Sequence, residues 1–206
     1  MKNFLFVALA FFFFSGLGPF LTPSLAQEDD KTIRLPLPDR AGGLPLNEAQ
    51  NKRRSHRAFL SQDLTLEQIS QILWAAFGVN REAGKMRTIP TSHNRQNILI
   101  FAILKSGVWL YGAEQNLLSL QLAGDFTGEY SSAPLTLIYV TPVNDGAIGG
   151  LHVGLAAQNV GLTCASLDLA NVIKTTKADA LKGKLPLPSG YQIIAVHVIG
   201  RPDGPL

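Results

Sequence analysis

Hydrophobic side chains recur along this chain at two distinct periods, and each period predicts a different element. Leu66, Ile69, Leu73, Ala76 and Phe77 stand at helical spacing, with Thr65 and Gln68 in capping-box positions ahead of them and Gly78 placed to end the helix. The runs at 98–104, 134–140 and 191–199 are rich in β-branched and aromatic residues and predict strands, the second of them buried. After a turn at 105–107, the segments 108–111 and 117–122 extend the first of these into a meander. Leu151, Leu155, Ala156, Asn159 and Val160 return to helical spacing over 149–161 among small residues, which predicts a buried helix with an interface on one side. The stretch 164–167 reads as a short strand or extended link, 169–182 as a further helix, and 81–95, which contains Pro90, as a loop.

The beginning of the chain follows a different rule. One lysine precedes eleven consecutive apolar residues from Phe4 to Phe14, a Gly/Pro break follows, and Ser24 and Ala26 supply the small residues of a secretory cleavage site. Residues 1–26 are therefore read as a secretory signal segment, 27–48 as an extended arm or linker, and 49–206 as one domain. The expected destination is the periplasm; an apolar run extended through Leu21 and left uncleaved as a membrane anchor is the alternative. No arginine pair precedes the apolar run, so export before folding is expected, with any cofactor acquired outside.

Composition narrows the chemistry. The 18 basic and 15 acidic side chains give a formal charge of +3, too weak a bias to argue a nucleic-acid partner, and a single cysteine rules out an intrachain disulfide scaffold. The four histidines at 56, 93, 152 and 197 are dispersed, which predicts no metal module. Two polar clusters carry chemical content. Lys52, Arg53, Arg54 and Arg57 can bind phosphate through directed, charge-assisted hydrogen bonds, with Ser55 adding a hydroxyl; a solvated basic face is the plainer reading. Thr91, Ser92, Asn94 and Gln96 make a dense hydrogen-bonding loop ahead of a strand, against the plainer reading of a turn that caps its own backbone. Cys164 reads as a small buried side chain, with a thiol nucleophile assisted by His152 and Asp168 as the remote alternative.

Four segments in order, RRSHRAF at 53–59, LEQISQILWAAFGVNR at 66–81, PTSHNRQ at 90–96 and LHVGLAAQNVGLTCAS at 151–166, resemble the nitroreductase-like flavoprotein superfamily over residues 48–200. The LWAAFGVNR stretch is most similar to its cyclising-dehydrogenase (SagB-type) branch. The resemblance implies an α+β fold with a mainly antiparallel central sheet flanked by helices, an intertwined homodimer, FMN at the subunit interface, and hydride passed from NAD(P)H through the flavin to a small quinone-like, nitroaromatic or other conjugated acceptor. It also implies roles: Arg53, Arg54 and Arg57 at the phosphate and ribityl chain, Ser55 as the accompanying hydroxyl, Thr91, Ser92 and Asn94 in the loop beside the flavin, with Asn94 near the ring or ribityl chain from the neighbouring subunit, and Gln96 helping to fix that loop. No side-chain acid or base is assigned, since the flavin would carry the redox chemistry. Export argues more against ordinary nicotinamide turnover than against flavin binding. A catalytically silent exported protein that keeps the fold for binding or structure is the alternative function.

Overall fold

A computed structural model of the chain describes residues 31–175 and 180–205, so the signal segment read at 1–26 lies outside the described residues. The first described elements are β1 (Thr32–Arg34), α1 (Leu46–Lys52) and β2 (Phe59–Leu60). There follow α2 (Leu66–Phe77), the hairpin strands β3 (Val79–Arg81) and β4 (Met86–Arg87), and the meander β5 (Leu99–Leu104), β6 (Gly107–Gly112) and β7 (Leu117–Ala123). The chain continues through β8 (Leu135–Pro142), α3 (Gly146–Ser166), β9 (Ala170–Lys174) and β10 (Tyr191–Pro202). The fold is α+β.

One antiparallel sheet runs in the order β1-β7-β6-β5-β8-β10, with β9 and β2 both pairing β10. The strands at its centre are apolar at consecutive positions because both faces are covered. Leu135, Leu137 and Tyr139 of β8 join the core beneath α2 and α3, while Ile138 and Val140 face the opposite side, where Leu181 and Leu185 cover them. The 31–48 segment is tied to its own chain: β1 lies on β7, Leu35 is buried, and Pro36 accepts hydrogen bonds from Ser70 and Asn116.

Helix α2 begins where its caps require. Thr65 Oγ1 accepts from Gln68 N at 3.2 Å and Gln68 Oε1 accepts from Thr65 N at 3.1 Å, satisfying two donors that the first turn leaves free. Its stop does not use the left-handed conformation: Gly78 has φ −69°, and glycine is needed there because a Cβ would lie 2.7 Å from the Trp74 Cα. Replacing Thr65 with Ala is expected to cost about 1 kcal/mol, read as a lowered urea midpoint with an unchanged slope.

Two expectations are corrected. Within the segment read as a helix at 169–182, residues 170–174 form β9 instead, and because Ala170, Asn171 and Val172 are all buried the run loses the alternation that marks a half-exposed strand. Likewise 164–167 is not a strand or an extended link through its length, because α3 continues to Ser166. Gly161 resembles a stop but lies mid-helix, facing the Arg53 side chain. The helix is closed just past its end by Asp168, whose φ of 51° lets Leu169 N donate back to Cys164 O at 2.8 Å; an aspartate in the usual glycine position hides that stop.

Candidate functional site

The basic segment leaves α1 at Arg53 and is pinned in two places. His56 N donates to Asn171 O at 2.9 Å, and β2 pairs with the end of β10, setting Leu60 opposite Arg201. Arg53 is half-buried, and its stem passes over Gly161, where an added Cβ would lie at contact distance, 3.4 Å from the arginine Cδ. Arg54 lines a cavity of about 240 Å³ with Asn51, Lys52, Asp168 and Asn171. Ser55 and Arg57 are exposed. Among the described residues, Arg53, Arg54 and Arg57 form no ion pair, whereas Lys52 is shared between Glu48 at 3.6 Å and Asp168 at 3.8 Å. His56 Nε2 and Arg201 Nε are buried in the same neighbourhood with no partner among the described residues. Unpaired guanidinium groups and orphaned ring and guanidinium nitrogens suit an anionic group.

The 91–97 loop is held by both backbone conformation and side-chain bonds. His93, Asn94 and Gln96 have φ of 51°, 51° and 49°, each a conformation that costs about 1–3 kcal/mol for a residue other than glycine, least for asparagine. The bonds that hold it come from inside and outside. Thr91 Oγ1 accepts from Gln96 N at 3.0 Å and Asn94 Oδ1 accepts from Gln96 Nε2 at 2.9 Å. Arg87 donates from Nε to Gln96 Oε1 at 2.8 Å, and its guanidinium lies over the Phe77 ring. On α3, His152 Nε2 accepts from Ser92 N at 2.8 Å. The buried Asp145 takes Arg95 at 2.7 Å and Asn97 Nδ2 at 2.8 Å. With Thr91 and Gln96 engaged in holding the loop, the Ser92 hydroxyl and the Asn94 amide nitrogen have no partner among the described residues.

Sequence reasoning did not single out Arg87, Asp145 or Asn171 for this site, and placed His152 only beside the thiol. Asp145, at a polar turn before an apolar helix, and His152, the first polar side chain of that helix, are the two whose setting carried a signal. The thiol arrangement is not assembled. His152 and Cys164 are twelve residues apart on one straight helix, roughly 18 Å along its axis, and Asp168 is exposed beside Lys52. Burial also pushes the Cys164 thiol well above its ordinary range, opposite to what a nucleophile needs.

The two polar clusters do not meet within one chain. The loop is fixed on α3 at His152 and the basic segment at Gly161, roughly 14 Å further along the axis. On its exposed side α3 presents Ile148, Leu151, Gly154 and Gln158, and the whole helix lacks any Asp, Glu, Lys or Arg. Leu151 is 61% and Ile148 41% exposed, and nothing lies within 4 Å of where a Cβ on Gly154 would be.

Beneath the basic segment the sheet carries a buried polar chain. Tyr139 Oη lies 3.3 Å from His197 Nδ1, and His197 Nε2 lies 3.0 Å from Asn171 Oδ1. Burial lowers the His197 pKa to about 3, so the ring is neutral, and it keeps the Tyr139 hydroxyl protonated.

Comparison with known proteins places the chain by family and by fold. The sequence profile of the Nitroreductase family matches residues 51–201. A Methanocaldococcus jannaschii protein with a provisional nitroreductase name is 29% identical over 166 residues, which span 68% of this chain and 83% of that one. A crystal structure from Ralstonia eutropha JMP134, likewise provisionally named a nitroreductase, superposes with a TM-score of 0.76 at 30% identity, covering 85% of this chain and 91% of that one. A Desulfovibrio desulfuricans protein of the same provisional name, crystallised with FMN, has a TM-score of 0.58 at 16% identity over 79% of this chain and 89% of its own, a likeness of fold.

Proposed function

The chain belongs to the nitroreductase family, and from that premise we propose that it is an FMN-dependent oxidoreductase passing hydride or electrons to a small quinone-like, nitroaromatic or other conjugated acceptor. The observation that carries the reading is that, among the described residues, the guanidinium groups of Arg53, Arg54 and Arg57 form no ion pair and stand beside buried nitrogens of His56 and Arg201 that have no partner. Flavin, when bound, supplies the hydride-accepting chemistry. Arg53 and Arg54 hold the phosphate, Ser55 and Arg57 donate along the ribityl chain, and Ser92 and Asn94 donate to the polar edge of the ring system. Thr91 and Gln96 act by bracing their own loop, as do Arg87, His152 and Asp145, so the strained backbone presents its donors without rearrangement.

The same proposal makes the protein a homodimer. Two α3 helices crossing antiparallel about a twofold axis near Leu155 would set the basic segment of one copy against the polar loop of the other. The exposed apolar and small residues of that face support the pairing. The LWAAFGVNR segment supports the cyclising-dehydrogenase branch, and the leader at 1–26 supports work outside the cytoplasm.

The test is visible absorption of the purified protein after incubation with FMN and removal of the excess. A retained flavin spectrum that bleaches with an electron donor supports the reading. A folded dimer that retains none removes it in favour of a silent binding or structural role. The double variant Arg53→Ala/Arg54→Ala is expected to lose FMN affinity by about 100-fold or more, since each guanidinium contributes charge-assisted bonds of about 1.5–3 kcal/mol. Unchanged affinity by equilibrium dialysis would remove the phosphate assignment.

A further inference from the structure

Asn171 connects two parts of the molecule. Its backbone oxygen holds the basic segment at His56, its side chain lies under Gly161 beside Arg53, and it forms part of the wall of the 240 Å³ cavity with Arg54 and Lys52. An asparagine amide can present either its oxygen or its nitrogen, and these have opposite effects on an anion.

The buried chain behind Asn171 decides between them. Tyr139 is fully buried, and its one hydrogen-bond neighbour among the described residues is His197 Nδ1. If Nδ1 carried the ring proton, the phenolic hydrogen would be buried with no acceptor, which costs about 1–3 kcal/mol. Hydrogen bonding is complete only when Tyr139 donates to Nδ1 and His197 donates from Nε2 to Asn171 Oδ1. The Asn171 oxygen is then used, and its Nδ2, which has no partner among the described residues, remains as a donor.

We propose that His197 is a positioning residue for an anion site: through Nε2 it holds the Asn171 amide with oxygen inward, leaving Nδ2 to donate into the basic cavity, where a phosphomonoester accepts it alongside Arg54. The identity of that phosphomonoester as the flavin's rests on the function proposed above; the orientation of the amide does not. Asp168 also lines the cavity and is paired with Lys52, so the net field there depends on the arginine and the neutral amide.

The proposal is tested by two measurements on the full-length protein. Proton–nitrogen correlation spectra of nitrogen-labelled protein read the His197 tautomer without any ligand. Protonation at Nε2 is expected, and protonation at Nδ1 overturns the proposal. Titrations with FMN, followed by flavin fluorescence, and with inorganic phosphate, followed by phosphorus line broadening, read the site itself. Asn171→Asp, which keeps the oxygen for His197 and loses the donor, is expected to weaken both by about tenfold or more. His197→Gln, whose side-chain amide can donate to Asn171 in place of the ring, is expected to stay within a fewfold of the natural protein. Tyr139→Phe leaves Nδ1 without its donor, and the Nε2 tautomer is expected to lose its predominance. Unchanged affinity in Asn171→Asp overturns the proposal, as does a natural protein that binds neither ligand. Phosphate binding without FMN binding leaves this site standing and removes the flavin reading instead.

Discussion

Leu151→Glu is expected to leave a folded monomer that no longer retains flavin. Leu151 is 61% exposed in the single chain, so the substitution removes no core contact and the far-ultraviolet circular dichroism should be unchanged. In the proposed antiparallel pairing of α3 the same position is covered in both copies, on a helix with no cation to neutralise a carboxylate. Burying an unpaired carboxylate costs several kcal/mol, and symmetry applies the cost twice, so the dimer constant should weaken by at least about 1,000-fold. Flavin retention should fall with it, because the loop at 91–97 and the basic segment would no longer face each other across two chains. Sedimentation velocity and flavin absorption on one sample check both halves. A variant that stays dimeric removes the α3 interface, and a monomer that still holds flavin shows that one chain suffices.

Leu73→Ala carries the largest expected loss of stability. Leu73 is fully buried on the inward face of α2, in the cluster formed with residues of α3 and the central strands, including Ile72, Phe77 and Tyr139. Truncation removes transfer free energy and leaves a void that packed neighbours fill only in part, together about 3–5 kcal/mol. For a chain of this length that corresponds to a fall in Tm of roughly 6–20 °C. Calorimetry on the natural and variant proteins, both free of flavin, measures it; a shift under about 2 °C would mean that α2 repacks freely.

The apolar periodicity made α2 and the strands β5 to β8 and β10 legible, because those segments bury fixed faces and burial writes itself into spacing. Helix α2 was the most complete reading, its Thr65 and Gln68 making the expected reciprocal bonds. Pattern failed where a neighbour distant in sequence set the conformation. The end of α3 depends on Asp168 adopting a left-handed backbone, and β9 is a strand because β10 supplies its hydrogen bonds, while its own residues suit a buried helix as well.

The candidate site divides along the same line. Residue type alone nominated Arg53, Arg54, Ser55, Arg57, Thr91, Ser92, Asn94 and Gln96 as candidates, because guanidinium groups, hydroxyls and amides announce hydrogen bonding wherever the chain takes them. Division of labour within the loop belongs to the tertiary structure: Thr91 and Gln96 point into the loop's own bonds, while Arg87, 9 residues from Gln96, and Asp145, 50 residues from Arg95, clamp it from outside. Sequence thus determined the hydrophobic faces and the inventory of polar groups, since both are properties of single residues and their near neighbours. Only the folded chain decided which polar groups are spent on one another and which remain for a ligand, since a hydrogen bond such as His197 to Asn171 exists only once the sheet sets two distant residues 3.0 Å apart.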